Sequence, residues 1–191
     1  MVSLKGMQWN DYANHFKCLV LIGLSVLIKC IPHLPNVSPE LVFSLYLTTT
    51  QSKKIVAVAY VFLMWILSDI AYGVVYHTSA FGSWSLGTYS AVFAIMLFFS
   101  FISVRLDKYL FMVSASAVSL FFWAWTNFNV WIFSGMYGHT LHGLLMCYFL
   151  AIPFLTYALT AAVFWSALLM LGHILRNRYA RMSVVGAAKV I

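Results

Sequence analysis

Apolar residues in this chain come in long uninterrupted runs rather than in alternation, and the polar interruptions between them are short. A run of roughly twenty apolar residues, wound into helix, matches the ~30 Å hydrocarbon layer of a bilayer. Full-length apolar helices are predicted over residues 55–76, 86–104, 109–125 and 154–175. A shorter one is predicted over 16–31 and covers about 24 Å at ~1.5 Å per residue. Two further stretches, 41–50 and 141–152, are short for ordinary spans. The first reaches the needed length only if it starts at Pro39, continues through Ser52 and packs inside a bundle. Pro32, Pro35 and Pro39 force the chain out of helix after the first run, and Pro153 stops the second short stretch. Backbone polar groups in lipid are satisfied by helices or by a closed barrel, and runs without period-two alternation select helices, so the fold class is all-α. No repeat of 20–50 residues is evident.

Composition agrees with that reading: of 191 residues, 63% are hydrophobic and 8% charged. The formal charge of +7 does not indicate nucleic acid, because the basic residues sit singly or in pairs at the ends of apolar runs and form no aromatic-interleaved patch. They act as topology signals. If 41–50 crosses the membrane and 141–152 does not, then Lys5, Lys17, Lys53, Lys54, Arg105, Lys108, Arg176, Arg178, Arg181 and Lys189 share one side. The other loops are then free of Lys and Arg, and the positive-inside rule gives six crossings with both termini cytoplasmic. The expectation is a polytopic membrane protein, a six-transmembrane-helix bundle with a non-crossing short helix in the last outer connection. One integral membrane domain fills 1–191, with a core over about 16–176 and short cytoplasmic tails at 1–15 and 177–191. The outer connections are 32–39, 77–85 and 126–153.

Cys18, Cys30 and Cys147 lie in apolar segments without CxxC spacing, which argues against a disulfide framework or a zinc site and for buried thiols. The run 18–28 has the length of a signal-peptide core, but no small-x-small cleavage site follows it, so it is kept as the first transmembrane helix.

The outer connections gather His33, Asn36, His77, Asn127, Asn129, His139 and His142 on one face, with Trp84, Trp125, Trp131 and Tyr137. Interfacial Trp and Tyr are ordinary at a membrane boundary. Short proline-interrupted segments are less ordinary, because broken helices at membrane depth are tolerated where they line a cavity, and they point to a binding pocket. Asp69 is an acid well inside an apolar span, where an unpaired carboxylate is costly. It either fixes a polar ligand group or pairs with Lys29 and fastens two helices together. His139, His142 and Met146 follow i, i+3, i+7 spacing and share a face if the helix starts near His139. That makes them candidate soft-metal contacts; helix capping and interfacial hydrogen bonds account for the same histidines. No Ser/His/Asp order, HExxH or Gly-rich phosphate loop is present, so no enzymatic activity is expected.

PHLPNVSP at 32–39, LSD at 67–69, TNFNVW at 126–131 and MYGHTLHGLLMCYFLAIPF at 136–154 together resemble an uncharacterised bacterial family of membrane transport proteins. That family is similar to the substrate-binding S components of energy-coupling-factor (ECF) transporters. The resemblance runs from about residue 29 to residue 172. It implies a multi-pass protein of the bacterial cytoplasmic (inner) membrane that takes up a vitamin-like compound or a metal ion through a pocket under the outer loops. Cobalamin, cobalt and nickel are the ligands it suggests, as transported cargo rather than cofactors, with His77 implied as a cobalt contact. Its implied partners are lipid, an energy-coupling transmembrane subunit and ATPases, against which such proteins topple. The positions matching its motifs are Lys29, Pro32, His33, Asn36, Asp69, Thr126, Asn127, Trp131, Tyr137 and Thr140. The final helix departs from the family pattern, which often carries Gly-Asp where Ala161 and Ala162 stand. Two other functional classes remain open at this point: a membrane assembly or scaffold protein whose outer segments bind protein, and an intramembrane enzyme.

Overall fold

The computed structural model describes residues 4–101 and 107–188; Arg105 and Lys189, used above for orientation, lie outside them. The described residues form seven helices and no strands: α1 (Leu4–Cys30), α2 (Glu40–Thr50), α3 (Lys54–Tyr76), α4 (Ser83–Phe101), α5 (Lys108–Phe133), α6 (Leu141–Leu150) and α7 (Ile152–Ala188). Four segments are long and apolar enough to cross a membrane: Lys54–Tyr76, Ser83–Phe101, Tyr109–Phe133 and Ile152–Arg176. Their outer faces carry exposed Leu63, Val74, Phe93, Phe98, Val113, Phe164 and Leu171. Buried Ser44, Thr48, Ser68, Ser119 and Ser166 lie inside. An apolar exterior over a partly polar interior is consistent with a membrane protein.

The short helix α2 is the centre of the bundle. It packs on α1, α3, α4, α5 and α7, and residues 42–48 are all buried. At 11 residues it is about 16 Å long, roughly half the hydrocarbon thickness. Its serine and threonines survive burial because each bonds back to its own helix. Ser44 Oγ donates to the Glu40 carbonyl (2.6 Å), Thr48 to Ser44 (2.8 Å), Thr49 to Leu45 (2.9 Å) and Thr50 to Tyr46 (2.7 Å). Trp65 of α3 then donates Nε1–H to Ser44 Oγ at 3.0 Å, tying the central helix to its neighbour.

Several boundaries differ from the sequence reading. Residues 126–133 are not part of a connection: α5 continues to Phe133. Thr126, Asn127 and Asn129 remain helical by donating to the carbonyls of Phe122, Trp123 and Trp125, each at 2.8 Å. The chain leaves α5 through a turn at 134–140 with Gly135 at φ 69°. It re-enters helix at Leu141, capped by Thr140, whose hydroxyl accepts from Gly143 N at 3.1 Å. α6, at 10 residues, is too short to span. Pro153 does not break the last helix because it falls in the first turn of α7, where a missing N–H costs nothing. The expected tails are also largely helical: α1 begins at Leu4 and α7 runs to Ala188.

Candidate functional site

The loop between α1 and α2 is shaped by its prolines. Leu34-Pro35-Asn36-Val37 forms a turn closed by Val37 N to Leu34 O (3.4 Å), with Pro35 second and Asn36 third at φ 63°. This is the arrangement of a type II turn, whose third position demands positive φ; asparagine tolerates it better than most residues. Trp165 of α7 donates Nε1–H to the Val37 carbonyl at 2.8 Å and holds the turn against the bundle. Beneath it lies a cavity of about 490 Å³, within the range of small-molecule sites.

Six helices and two loops build the cavity walls: α1 contributes Lys29, α2 contributes Glu40, Leu41 and Val42, and α4 contributes Trp84 and Thr88. α3 contributes Trp65, Asp69 and Tyr72 at i, i+4, i+7, and α5 contributes Ser119, Phe122, Trp123, Thr126 and Asn127 at i, i+3, i+4, i+7, i+8. Both are single helical faces. From α7 come Ala158, Ala161 and Ala162, whose small side chains leave the space open. The α1–α2 loop supplies Asn36 and Ser38, and the α3–α4 connection Thr78, Ser79 and Ala80.

A charged triad closes one side of this space. Lys29 Nζ stands 3.0 Å from Glu40 Oε1 and 3.0 Å from Asp69 Oδ1. Lys29 occupies the last turn of α1 and Glu40 the first residue of α2, each at the helix end whose dipole favours its charge. The second oxygens are also satisfied: Ser38 Oγ donates to Glu40 Oε2 (2.6 Å), and Tyr89 of α4 donates its hydroxyl to Asp69 Oδ2 (2.8 Å). The Lys29 ammonium also lies 5.6 Å from the centre of the Trp65 ring. Glu40 is 2% exposed, a burial that a carboxylate bears when paired and hydrogen-bonded.

The expected pairing of Lys29 with Asp69 is therefore present, and a second acid joins it. Glu40 was missed by sequence reasoning. A signal for it existed: it is one of four acids in the chain and opens an apolar stretch directly after Ser38-Pro39. Ser119 was missed as well, although it lies two helical turns back on the Thr126/Asn127 face. Tyr89, Trp65 and Trp123 have no sequence signal that separates them from ordinary aromatic packing.

Of the sequence-predicted ligand residues, Lys29, Asn36, Asp69, Thr126 and Asn127 meet at the cavity, and the others do not line it. His33 is exposed, with its ring Nδ1 2.6 Å from the Ile31 carbonyl. His77 caps α3 in a left-handed conformation, φ 53°. Asn129 packs on Gly87 of α4, where an added Cβ would come within 2.9 Å of its own Cβ. Trp131 Nε1–H donates to the Gly138 carbonyl (3.0 Å), while His139 bonds the Ile132 carbonyl (3.0 Å) and meets the Trp131 ring edge-on. These residues pin the 134–140 turn to the end of α5, and Tyr137 belongs to the same turn. Helix α6 starts at Leu141, so the condition under which His139, His142 and Met146 would share a helical face is not met. His142 and Met146 are exposed. Among the described residues, no three His, Cys, Asp or Glu side chains group closely enough to hold a metal ion.

The fold and the cavity define an all-helical bundle with membrane-type surfaces and a charged, aromatic-walled internal site. By sequence, residues 11–184 match the family of unknown function DUF6580, and the chain belongs to that family. No curated protein and no solved structure matches it.

Proposed function

We propose that this chain is a membrane substrate-binding or uptake protein that holds a small molecule in the cavity beneath the α1–α2 turn. The reading keeps the topology argued from charge, six crossings with both termini cytoplasmic in a bacterial inner membrane; α2, too short to span by itself, crosses as the buried centre of the bundle with the flanking segments 31–39 and 51–53 completing the passage. It also keeps the resemblance to ECF S components and the energy-coupling partner that resemblance implies. The observation that supports it best is the cavity itself. Its walls come from α1, α2, α3, α4, α5, α7 and two loops, and its polar groups converge on a single space. A protein whose only task was to bind other proteins through outer segments has no need of an internal charged site of this size.

The cavity floor carries Ala161 and Ala162 where the resembled family often has Gly-Asp. The acid in this chain's site comes instead from Glu40 and Asp69. Uptake of a bound molecule requires release toward the other side. The α1–α2 turn, held by the Trp165 to Val37 bond, borders the space with Asn36 and Ser38.

The test is ligand dependence. Purified protein is examined by mass spectrometry for a co-purifying small molecule, then screened by thermal shift against vitamins, Co²⁺ and Ni²⁺. A ligand at one hundred times its Kd stabilises by about 2.7 kcal/mol. Absence of any stabilising molecule, together with specific capture of a membrane protein through the outer segments, would replace this reading with that of an assembly protein.

A further inference from the structure

The charges and hydrogen-bond capacity of the cavity restrict its ligand. Three ionisable side chains of opposite sign line it: one ammonium, Lys29, and two carboxylates, Glu40 and Asp69. With all three ionised, the site carries one negative charge in excess. Lys29 is committed to both carboxylates at 3.0 Å, so an anionic ligand finds no free cation in the wall. Acceptors, by contrast, are available: each carboxylate oxygen has a second lone pair, and Asn127, which spends one of its two amide N–H groups on the Trp123 carbonyl, keeps its side-chain oxygen. Ser119 is 2% exposed, lines the cavity and makes no hydrogen bond to any described residue. Its hydroxyl opens onto the cavity and is free to exchange a hydrogen bond with whatever fills the space. The remaining lining includes the rings of Trp65, Trp84, Trp123, Phe122 and Tyr72. Aromatic faces attract cations and supply flat apolar contact.

We infer that the ligand is a small organic monocation, a protonated amine on an aromatic or apolar body. Its charge offsets the excess carboxylate of the Lys29/Glu40/Asp69 triad, its N–H groups meet the acceptors, and its body lies among the indoles. This rests on the small-molecule reading above and narrows it to one chemical class.

The test uses three probes that share a body and differ in charge: tyramine (cation), tyrosol (neutral) and 4-hydroxyphenylacetate (anion). Their binding to the purified full chain in detergent is followed by quenching of tryptophan fluorescence and by thermal shift. Tyramine is expected to bind at least about tenfold more tightly than either counterpart, the scale of one hydrogen bond to a charged group. Asp69→Asn removes the excess charge yet leaves Lys29 paired with Glu40. It is expected to stay folded and to bring tyramine within about threefold of tyrosol. Equal or tighter binding of tyrosol or 4-hydroxyphenylacetate, abolished by Ala161→Leu, overturns the monocation assignment while the cavity remains a ligand site. Binding of none of the three overturns it too. If the vitamin and metal screen also stabilises nothing, the small-molecule reading falls with it.

Discussion

Replacing Lys29 by methionine isolates the energetics of the buried triad. The ammonium makes two ion pairs at 3.0 Å, and its loss leaves two carboxylates facing one space. Glu40 suffers most: it is 2% exposed, and Oε1 has no other partner, while Oε2 keeps Ser38. Asp69 retains the Tyr89 hydroxyl and more access to water. Removing one partner of a buried pair typically costs about 3–5 kcal/mol, since the orphaned charge must be protonated or stay unpaired. Lys29→Met is therefore expected to lose about that much. The triple variant Lys29→Met/Glu40→Gln/Asp69→Asn, which has no charge to strand, should regain most of it. Asp69→Asn alone should cost only about 1 kcal/mol, because Lys29 keeps Glu40. The measurement is the free energy of unfolding in mixed micelles titrated with SDS. If Lys29→Met lies within about 1 kcal/mol of the parent, or the triple variant is no more stable than the single one, the triad is not the electrostatic unit described.

Ala161→Leu projects methyl groups into the cavity rather than into packed protein. It should change stability by less than about 1.5 kcal/mol, as tolerated core swaps do, while weakening whatever ligand stabilises the parent in thermal shift. Gly143→Ala should be far more damaging than an ordinary helical Gly→Ala change, because its Cβ would run into the Gly138 backbone. A loss of about 2 kcal/mol or more is expected, with faster hydrogen exchange across residues 134–144. Trp165→Phe deletes the bond to the Val37 carbonyl. It should cost about 1 kcal/mol and make the α1–α2 loop more sensitive to limited proteolysis.

Local patterns carried much of the architecture. The apolar runs placed α3, α4 and the membrane part of α7 to within a few residues, and the three prolines placed the break between α1 and α2. Polarity at residues 126–133 reads in sequence as a break in the helix, yet α5 runs through them. Thr126, Asn127 and Asn129 instead spend their polar groups on carbonyls one turn back, an option that residue type alone does not reveal. The same back-bonding lets Ser44, Thr48 and Thr49 sit in the most buried helix of the bundle. For the site, Asp69 stood out because an acid in an apolar run is anomalous wherever it folds. His139 and Trp131 stood out for their chemistry, yet the turn they belong to uses them for its own closure.

The sequence by itself determined an all-helical chain with membrane-length apolar segments, a proline-broken connection and an acid inside one of the apolar segments. These follow from length, periodicity and backbone hydrogen bonding, which are local. Only the tertiary structure decided that Lys29, Glu40 and Asp69 form one triad, and that α5 turns its Ser119-to-Asn127 face toward it. Positions 29, 40 and 69 lie on three different helices, and their meeting depends on how those helices cross. Hydrophobic pattern reports that a face is buried; it does not report which other face it is buried against.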